Sequence, residues 1–264
     1  MENRTDKNSY TVIFAIGMVM VVGTLLAYLA SSLKPKITEN QRLEKQQNIL
    51  YAMGINDNDE TSAVFISTDK APEAFDKNVA DQIVITVDAN GKVVKTQNRD
   101  EYFEETKQEP YLIDVKKQQA NAKDGGERKL PLFVGENSEG KTVYVAPIRG
   151  KGLWDAIWGY VALDEDMVVR GAYFDHKGET PGLGANIKQR YFMDDFIGEH
   201  LISKSGEFKG ITVAKGNADP KNSDKTDNEV DAIAGATITG DGVTAMIKKD
   251  LKLYLPYFNS LKGK

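Results

Sequence analysis

The sequence predicts an α+β protein in which one apolar helix precedes a domain built on a mostly antiparallel sheet with flanking helices. Three observations lead to this prediction. Residues 10–33 form an apolar run without a charged side chain. Strand-length apolar segments then follow one another across turn residues. Strands and helices do not alternate regularly after that, which argues against a doubly wound parallel sheet.

Composition excludes several classes of function. The chain of 264 residues has a net charge of −5, so no overall basic surface favours nucleic-acid binding. It contains no cysteine, which excludes disulfides, thiolate catalysis and Cys-ligated metal centres within this chain. Its two histidines, His176 and His200, are too few for a His-rich metal site. Any redox chemistry therefore requires a bound organic cofactor.

The apolar run predicts a membrane anchor. Residues 10–33 are long enough, as a helix, to cross a hydrocarbon core of about 30 Å. The sequence Lys34-Pro35-Lys36 predicts a sharp end to the span. A cleaved signal peptide is the alternative, since small residues lie near Ala30, but the run exceeds the usual apolar length of about 7–15 residues. These features favour a single transmembrane helix.

The charges around the span give only a weak indication of its orientation. Two basic residues, Arg4 and Lys7, precede it, and four follow it closely: Lys34, Lys36, Arg42 and Lys45. The positive-inside rule would place the C-terminal domain in the cytoplasm on this count. Long translocated domains often do not follow the rule, so the charges do not decide the side.

The chain divides by pattern into four parts. We predict a short polar N-terminus over residues 1–9, the span over 10–33, an amphipathic juxtamembrane helix over 34–55, and one domain over 56–264. Within this domain, residues 83–94 predict a hairpin that turns at Asn90-Gly91. Further strands are predicted at 130–134, 141–147, 157–163, 167–174 and 230–233, helices at 114–120, 191–200 and 241–255, and a polar loop at 215–228.

The segment from Asp231 to Gly242 could hold a phosphate. Small residues surround Thr237 as the chain leaves a strand and enters a helix, and Gly235 can adopt positive φ. Thr239 is predicted to cap the final helix, whose free N–H groups and dipole favour an anion. Asp241-Gly242 stands where a P-loop would have Lys-Ser/Thr, which argues against a nucleoside triphosphate. A simple turn or cap role for Thr237 stays open.

Two other glycine-containing segments could contact a ligand. Gly182-Leu183-Gly184 follows a proline and predicts a stiff turn that presents Leu183 either to a flat ring or to the core. It is not a dinucleotide fingerprint, because the third glycine and the βαβ context are missing. Residues 150–154 end in Leu153-Trp154, which offers an apolar surface or packs into the core.

Together the three segments resemble the FMN-binding domain in the C subunit of the sodium-translocating NADH:quinone reductase, a domain shared with the G subunit of the Rnf-type complex. The signature Asp-x-x-(Ser/Thr)-Gly-Ala-Thr is matched at residues 231–237, with Ala234 in place of Ser/Thr. Residues 179–184 resemble the second signature of the family. Residues 150–154 resemble a segment typical of the C subunit. The resemblance covers essentially the whole chain.

The resemblance implies a covalent FMN, esterified through its phosphate to Thr237. It implies a subunit of a Na⁺-translocating NADH:ubiquinone reductase that relays electrons, in which no side chain acts as acid, base or nucleophile. The cofactor contacts it implies, besides Thr237, are Asp231, Gly235, Ala236, Ile238, Glu179, Thr180, Gly182, Leu183, Leu153 and Trp154.

The resemblance also implies partners and a location. These are the other subunits of the redox complex, a separate Mg²⁺-dependent flavin transferase that modifies Thr237, and the bacterial inner membrane. The resemblance places the domain on the periplasmic, outer side, and residues 1–9 therefore form a short cytoplasmic N-terminus. The alternatives are an Rnf-type G subunit and a flavin-free, membrane-tethered assembly or binding module.

Overall fold

The computed structural model describes residues 8–216, 219 and 221–262. The predicted cytoplasmic segment, with Arg4 and Lys7, therefore lies largely outside the described residues, as do Asn217, Ala218 and Pro220 of the predicted polar loop. The chain divides into two compact units, one ending at Leu43 and the other beginning at Glu44.

The first helix, α1, runs without interruption over Asn8–Ala52. Its apolar part is long enough and poor enough in charge to cross a membrane, and none of that part is buried. The apolar run ends at Lys34-Pro35-Lys36, but the helix does not, because α1 continues through Pro35. A proline removes one i→i−4 hydrogen bond, which can bend a helix without ending it.

The last turns of α1 belong to the second unit. Ile49 and Leu50 are fully buried in its core. The helix then ends at Ala52, and Gly54 adopts a positive φ of 76°. The C-terminal part of the segment predicted as a juxtamembrane helix is therefore a core element of this unit.

A six-stranded antiparallel sheet forms the centre of the second unit, in the order β2-β1-β3-β4-β5-β6. This confirms the predicted mostly antiparallel α+β fold. A separate parallel pair, β7 with β8, lies outside this sheet. The strands are β1 Val79–Val87, β2 Val93–Gln97, β3 Arg128–Glu136, β4 Thr142–Lys151, β5 Ala156–Leu163, β6 Val169–His176, β7 Thr212–Val213 and β8 Glu229–Val230.

The turns between neighbouring strands follow the sequence signals. Gly91 in the β1–β2 connection has a φ of 79°, and Gly140 in the β3–β4 connection has a φ of 72°. The Asn137 side chain accepts hydrogen bonds from the backbone N–H groups of Glu139 and Lys141, at 3.0 and 2.8 Å. Local side-chain acceptors and positive φ thus set both turns.

Short helices flank the sheet. They are α2 Ala71–Asn78, α3 Arg99–Thr106, α4 Val115–Lys123, α5 Arg190–Asp195, α6 Thr237–Met246 and α7 Leu255–Lys262. Asn98 and Asp114 cap α3 and α4 through their side chains. The helix predicted at 191–200 is shorter than expected, since Gly198 takes a φ of 89° and its N–H bonds to Val169 in β6.

The final helical region begins earlier than predicted. Its first helix, α6, begins at Thr237, and Ala236 occupies the N-cap position without a side-chain cap. A π-helical turn over Ile247–Leu251 and a 3₁₀ turn over Lys252–Tyr254 connect α6 to α7. The start of α6 therefore lies at Thr237 itself.

Candidate cofactor site

A cavity of about 240 Å³ lies where three segments distant in sequence meet. These segments are the residues after β4, the turn after β6 and the start of α6. The cavity is lined by Leu153, Glu179, Thr180, Leu183, Gly184, Gly235, Ala236, Thr237, Ile238 and Thr239.

Glu179 connects the three segments beneath this cavity. Glu179 is only 4% exposed. One carboxylate oxygen, Oε1, accepts hydrogen bonds from the backbone N–H groups of Trp154 at 2.9 Å and Asp155 at 3.4 Å. The other oxygen accepts from the Thr239 hydroxyl at 2.6 Å and from the Leu153 N–H at 3.3 Å. One side chain thus holds both loops against the helix.

These contacts decide the charge of Glu179. Burial on its own would raise the pKa of this carboxyl. The hydrogen bonds from Thr239, Trp154, Asp155 and Leu153 outweigh burial and place the pKa below its ordinary value. The carboxylate at the base of the cavity is therefore ionised, and these four hydrogen-bond donors stabilise its negative charge.

Two glycines are required by the packing around the cavity. A Cβ atom at Gly184 would collide with the Thr239 hydroxyl and the Glu179 carboxylate. Gly235 has a φ of 72°, and a Cβ there would lie 2.8 Å from Leu183 Cδ2. The glycines in the second and first signatures therefore allow the backbone to approach Glu179 and Leu183 closely.

Thr237 combines an accessible hydroxyl with the positive end of a helix. It is exposed, and it is the first residue of α6. The first helical hydrogen bond runs from the Gly240 N–H to the Ala236 carbonyl, at 2.9 Å. The N–H groups of residues 237–239 are therefore left without intrahelical acceptors, as at any helix start. A phosphate ester on Thr237 would be stabilised by these donors and by the helix dipole.

Four exposed apolar side chains lie on the three segments, and Leu153, Leu183 and Ile238 line the same cavity as Thr237. Leu183 is 41% exposed, Leu153 47%, Ile238 57% and Trp154 67%. The Trp154 indole N–H donates to the Thr180 hydroxyl at 3.2 Å, which holds the ring at the surface. Packing into the core, the alternative considered for Leu183 and Trp154, is therefore excluded. The patch fits the flat ring of a bound cofactor.

Eight of the residues expected to contact a cofactor line the cavity: Leu153, Glu179, Thr180, Leu183, Gly235, Ala236, Thr237 and Ile238. Trp154 instead lines a neighbouring cleft. The Asp231 N–H donates to Asp195 at 2.9 Å, away from the cavity lining. Gly182, with a φ of 77°, forms the turn before Leu183 but does not line the cavity either.

Two lining residues were not among the expected contacts. Thr239 was predicted to cap the final helix, and that prediction is wrong because its hydroxyl donates to Glu179. Gly184 is the last residue of the second signature, so the signature itself contains the signal that it lies in the site. Thr239 had no comparable signal, since its partner lies in another segment.

The model of the FMN-binding domain family matches residues 152–252, a range that includes Leu153, Glu179 and Thr237. A solved structure of the C subunit of Na⁺-translocating NADH-quinone reductase from Parabacteroides distasonis is 30% identical. It has a TM-score of 0.64 and covers 86% of this chain and 96% of its own. The chain belongs to this family of reductase C subunits.

Two curated relatives with the same name agree over nearly the full length. The protein of Neisseria meningitidis serogroup A is 29% identical, over 100% of this chain and 98% of its own. That of Pseudomonas aeruginosa is 27% identical, over 92% of this chain and 90% of its own. The resemblance expected from the signatures is thereby confirmed, and FMN is the cofactor of the domain. The apolar helix α1 and the relatives are together consistent with a membrane-anchored protein.

Proposed function

We propose that this chain is an electron-relay subunit of a membrane-bound, Na⁺-translocating NADH:quinone oxidoreductase, with FMN attached to Thr237 by a phosphoester. The attachment site is supported by the exposed Thr237 hydroxyl, which lies at the start of α6 beside an apolar cavity. The names of the relatives support NADH, quinone and sodium as the substrates of the whole complex.

The residues around Thr237 fit the two ends of FMN. The free N–H groups at the start of α6 stabilise the negative charge of the phosphate. Leu153, Leu183 and Ile238 offer apolar contacts to the ring while they stay partly exposed. FMN, when bound, supplies the capacity to accept and donate electrons, and the protein supplies position and electrostatics.

A covalent attachment agrees with the shape of the site. A cavity of about 240 Å³ lies below the usual range for pockets that retain a ligand of this size without a bond. An ester at Thr237 removes the need for a deep pocket, because the cofactor cannot dissociate. Glu179 holds the two loops and α6 together through hydrogen bonds. This positions the apolar side chains that would contact the ring.

The anchor and the partners complete the proposal. The helix α1 would cross the membrane once and place the domain on the outer, periplasmic side. A separate flavin transferase would modify Thr237, whose exposure leaves the hydroxyl accessible to such an enzyme. The other subunits of the complex would exchange electrons with the flavin.

Substitution of Thr237 by valine tests the attachment. Thr237→Val keeps the shape of the side chain but removes the hydroxyl, so we expect a folded chain without covalent flavin. The measurement is in-gel flavin fluorescence after co-expression with a flavin transferase, with circular dichroism to confirm folding. Thr142→Val, at an exposed position at the start of β4, is the matched control and should stay fluorescent. Fluorescence that persists in Thr237→Val would place the flavin elsewhere.

A further inference from the structure

A second, larger cleft lies beside the cavity lined by Leu153, Leu183 and Thr237, which we call the flavin cavity. It has a volume of about 530 Å³ and is formed by α4, the end of β4 and the region from α6 into the π-helical turn. Trp154 lines this cleft, while its neighbour Leu153 lines the flavin cavity. The cleft is lined by five basic side chains: Lys116, Lys123, Arg149, Lys151 and Lys249.

The charge of this basic cleft is opposite to that of the chain, whose net charge is −5. Its single carboxylate, Asp155, already forms an ion pair with Lys177 at 2.9 Å. Among the ion pairs of the described chain, none involves any of the five basic side chains of the cleft. The cleft therefore creates a local positive potential beside the cofactor.

A buried polar network holds the walls of the cleft together. The Asp250 carboxylate accepts from the Arg149 backbone N–H at 2.9 Å and from the Arg128 guanidinium at 2.9 Å. The Gln119 amide donates to the Arg149 carbonyl at 2.7 Å and to Asp250 at 3.0 Å. These contacts join α4, β4 and the π-helical turn. The cationic side chains are thus carried by a rigid frame, although the lysines themselves are exposed.

We propose that the basic cleft docks an acidic segment of the protein that exchanges electrons with the flavin. The inference rests on the proposed relay function. A site for a small phosphate compound typically uses arginine forks or arrays of backbone N–H groups. Here four of the five cations are lysines distributed over α4, β4 and the π-helical turn, which suits the steering of a charged protein surface. Docking at the cleft brings the partner next to Leu153 and Trp154.

The test uses the assembled redox complex with two double variants of this chain. The cleft variant is Lys116→Glu/Lys249→Glu. The control is Lys92→Glu/Lys204→Glu, which changes the net charge equally at exposed lysines that do not line the cleft. Rapid-mixing experiments measure two rates at low and high ionic strength. The first is the rate at which NADH reduces the covalent FMN, and the second is the rate at which quinone reoxidises it.

We expect one of these two rates to fall in the wild type as salt increases. In the cleft variant the same rate should be about tenfold lower at low salt, with little dependence on salt. The control should stay within about twofold of the wild type. Equal rates in the two double variants would overturn the proposal.

Two further measurements separate the possible failures. In-gel fluorescence of all three proteins reports whether FMN is attached, and its absence from the wild type would contradict the proposed function instead. Thermal unfolding of the cleft variant should match that of the control, which excludes misfolding as the cause of slow transfer. Calorimetry with inorganic pyrophosphate tests a small-anion site. Binding that the cleft variant loses, without any change in either electron-transfer rate, would overturn protein docking.

Discussion

Two buried glutamates in this domain show opposite behaviour. Glu179 is 4% exposed and lies under the flavin cavity, whereas Glu199 is 0% exposed and lies just after α5. Glu179 accepts hydrogen bonds from two loops and from α6. Within the described residues, neither carboxylate oxygen of Glu199 has a hydrogen-bond partner, and the ammonium of Lys225 is 3.7 Å away.

The pKa values of the two groups follow from this difference. Burial raises the pKa of Glu199 to about 7. The Asn222 amide and the Lys225 ammonium oppose that effect, while Asp227 and Asp195 add to it. Burial also acts on Glu179, but donors from two loops and α6 hold its pKa below the ordinary value. Deeper burial with weaker compensation from donors raises the pKa of Glu199, whereas several donors keep Glu179 ionised.

Removal of the Glu179 carboxylate should have the largest effect on stability. Glu179→Leu leaves the buried Thr239 hydroxyl and the partly buried N–H groups of Trp154 and Leu153 without their acceptor. A buried donor without an acceptor costs about 1–3 kcal/mol, and a partly buried one costs less because water can reach it. We expect a loss of about 4 kcal/mol in the free energy of unfolding, together with a lower yield of covalent FMN. Urea unfolding at pH 7 measures the first and in-gel fluorescence the second.

The control for this change is Glu207→Leu, at an exposed carboxylate that pairs with Lys209 at the surface. Its unfolding midpoint should not move. Since the pKa of Glu179 is lowered in the folded state, its contribution is complete above the ordinary carboxyl value and is lost as the pH falls through the folded pKa. The difference between wild type and Glu179→Leu should therefore shrink in acid. A constant difference from pH 7 to pH 3 would contradict the role given to the ionised form.

Substitution of Glu199 should have a smaller effect of opposite sign. With a folded pKa of about 7 against an ordinary value of 4.5, the folded state binds more protons between these pH values. Wild-type stability should therefore fall as the pH rises from about 4.5 to about 7. Glu199→Gln should remove this decline and exceed the wild type by about 2 kcal/mol at pH 8.

Urea unfolding at pH 5 and pH 8 measures the effect of Glu199→Gln. The variant and the wild type should be nearly equal at pH 5, where the folded wild type is already protonated at this position. Glu207→Gln, at an exposed site, is the control. The difference in unfolding free energy between this variant and the wild type should be the same at pH 5 and pH 8. A variant that is less stable than the wild type at pH 8 would show that Lys225 stabilises the ionised form more than burial destabilises it.

Substitution of Thr239 should have the smallest effect, because it removes one of the donors to Glu179 and leaves the others in place. Thr239→Val keeps the shape of the side chain but removes the hydroxyl that donates to Glu179 at 2.6 Å. We expect a loss of about 1.5 kcal/mol in unfolding free energy, the usual value for a hydrogen bond to a charged group. The pH at which acid unfolding begins should also rise. Thr142→Val is again the control, and equal acid stability of the two variants would argue against this hydrogen bond.

Local signals predicted most of the sheet. Asn90-Gly91 and residues 137–140 set their turns through positive φ and side-chain acceptors, so the strands on either side were placed from the sequence. The passage of α1 through Pro35 was missed, because a proline weakens a helix without dictating where it ends. The early start of α6 was missed because Thr239, a good capping residue by type, turns its hydroxyl inward.

The apolar helix, the antiparallel α+β class and the three signature segments could all be predicted from the amino-acid sequence. Each depends on residues that are neighbours in the chain. The hydrogen bond from Thr239 to Glu179, 60 positions away, and the burial of Glu199 with Lys225 at 3.7 Å are known from the folded structure alone. The tertiary structure also brought five basic side chains into one cleft. Such contacts depend on how distant segments pack, which local backbone preference and side-chain polarity do not encode.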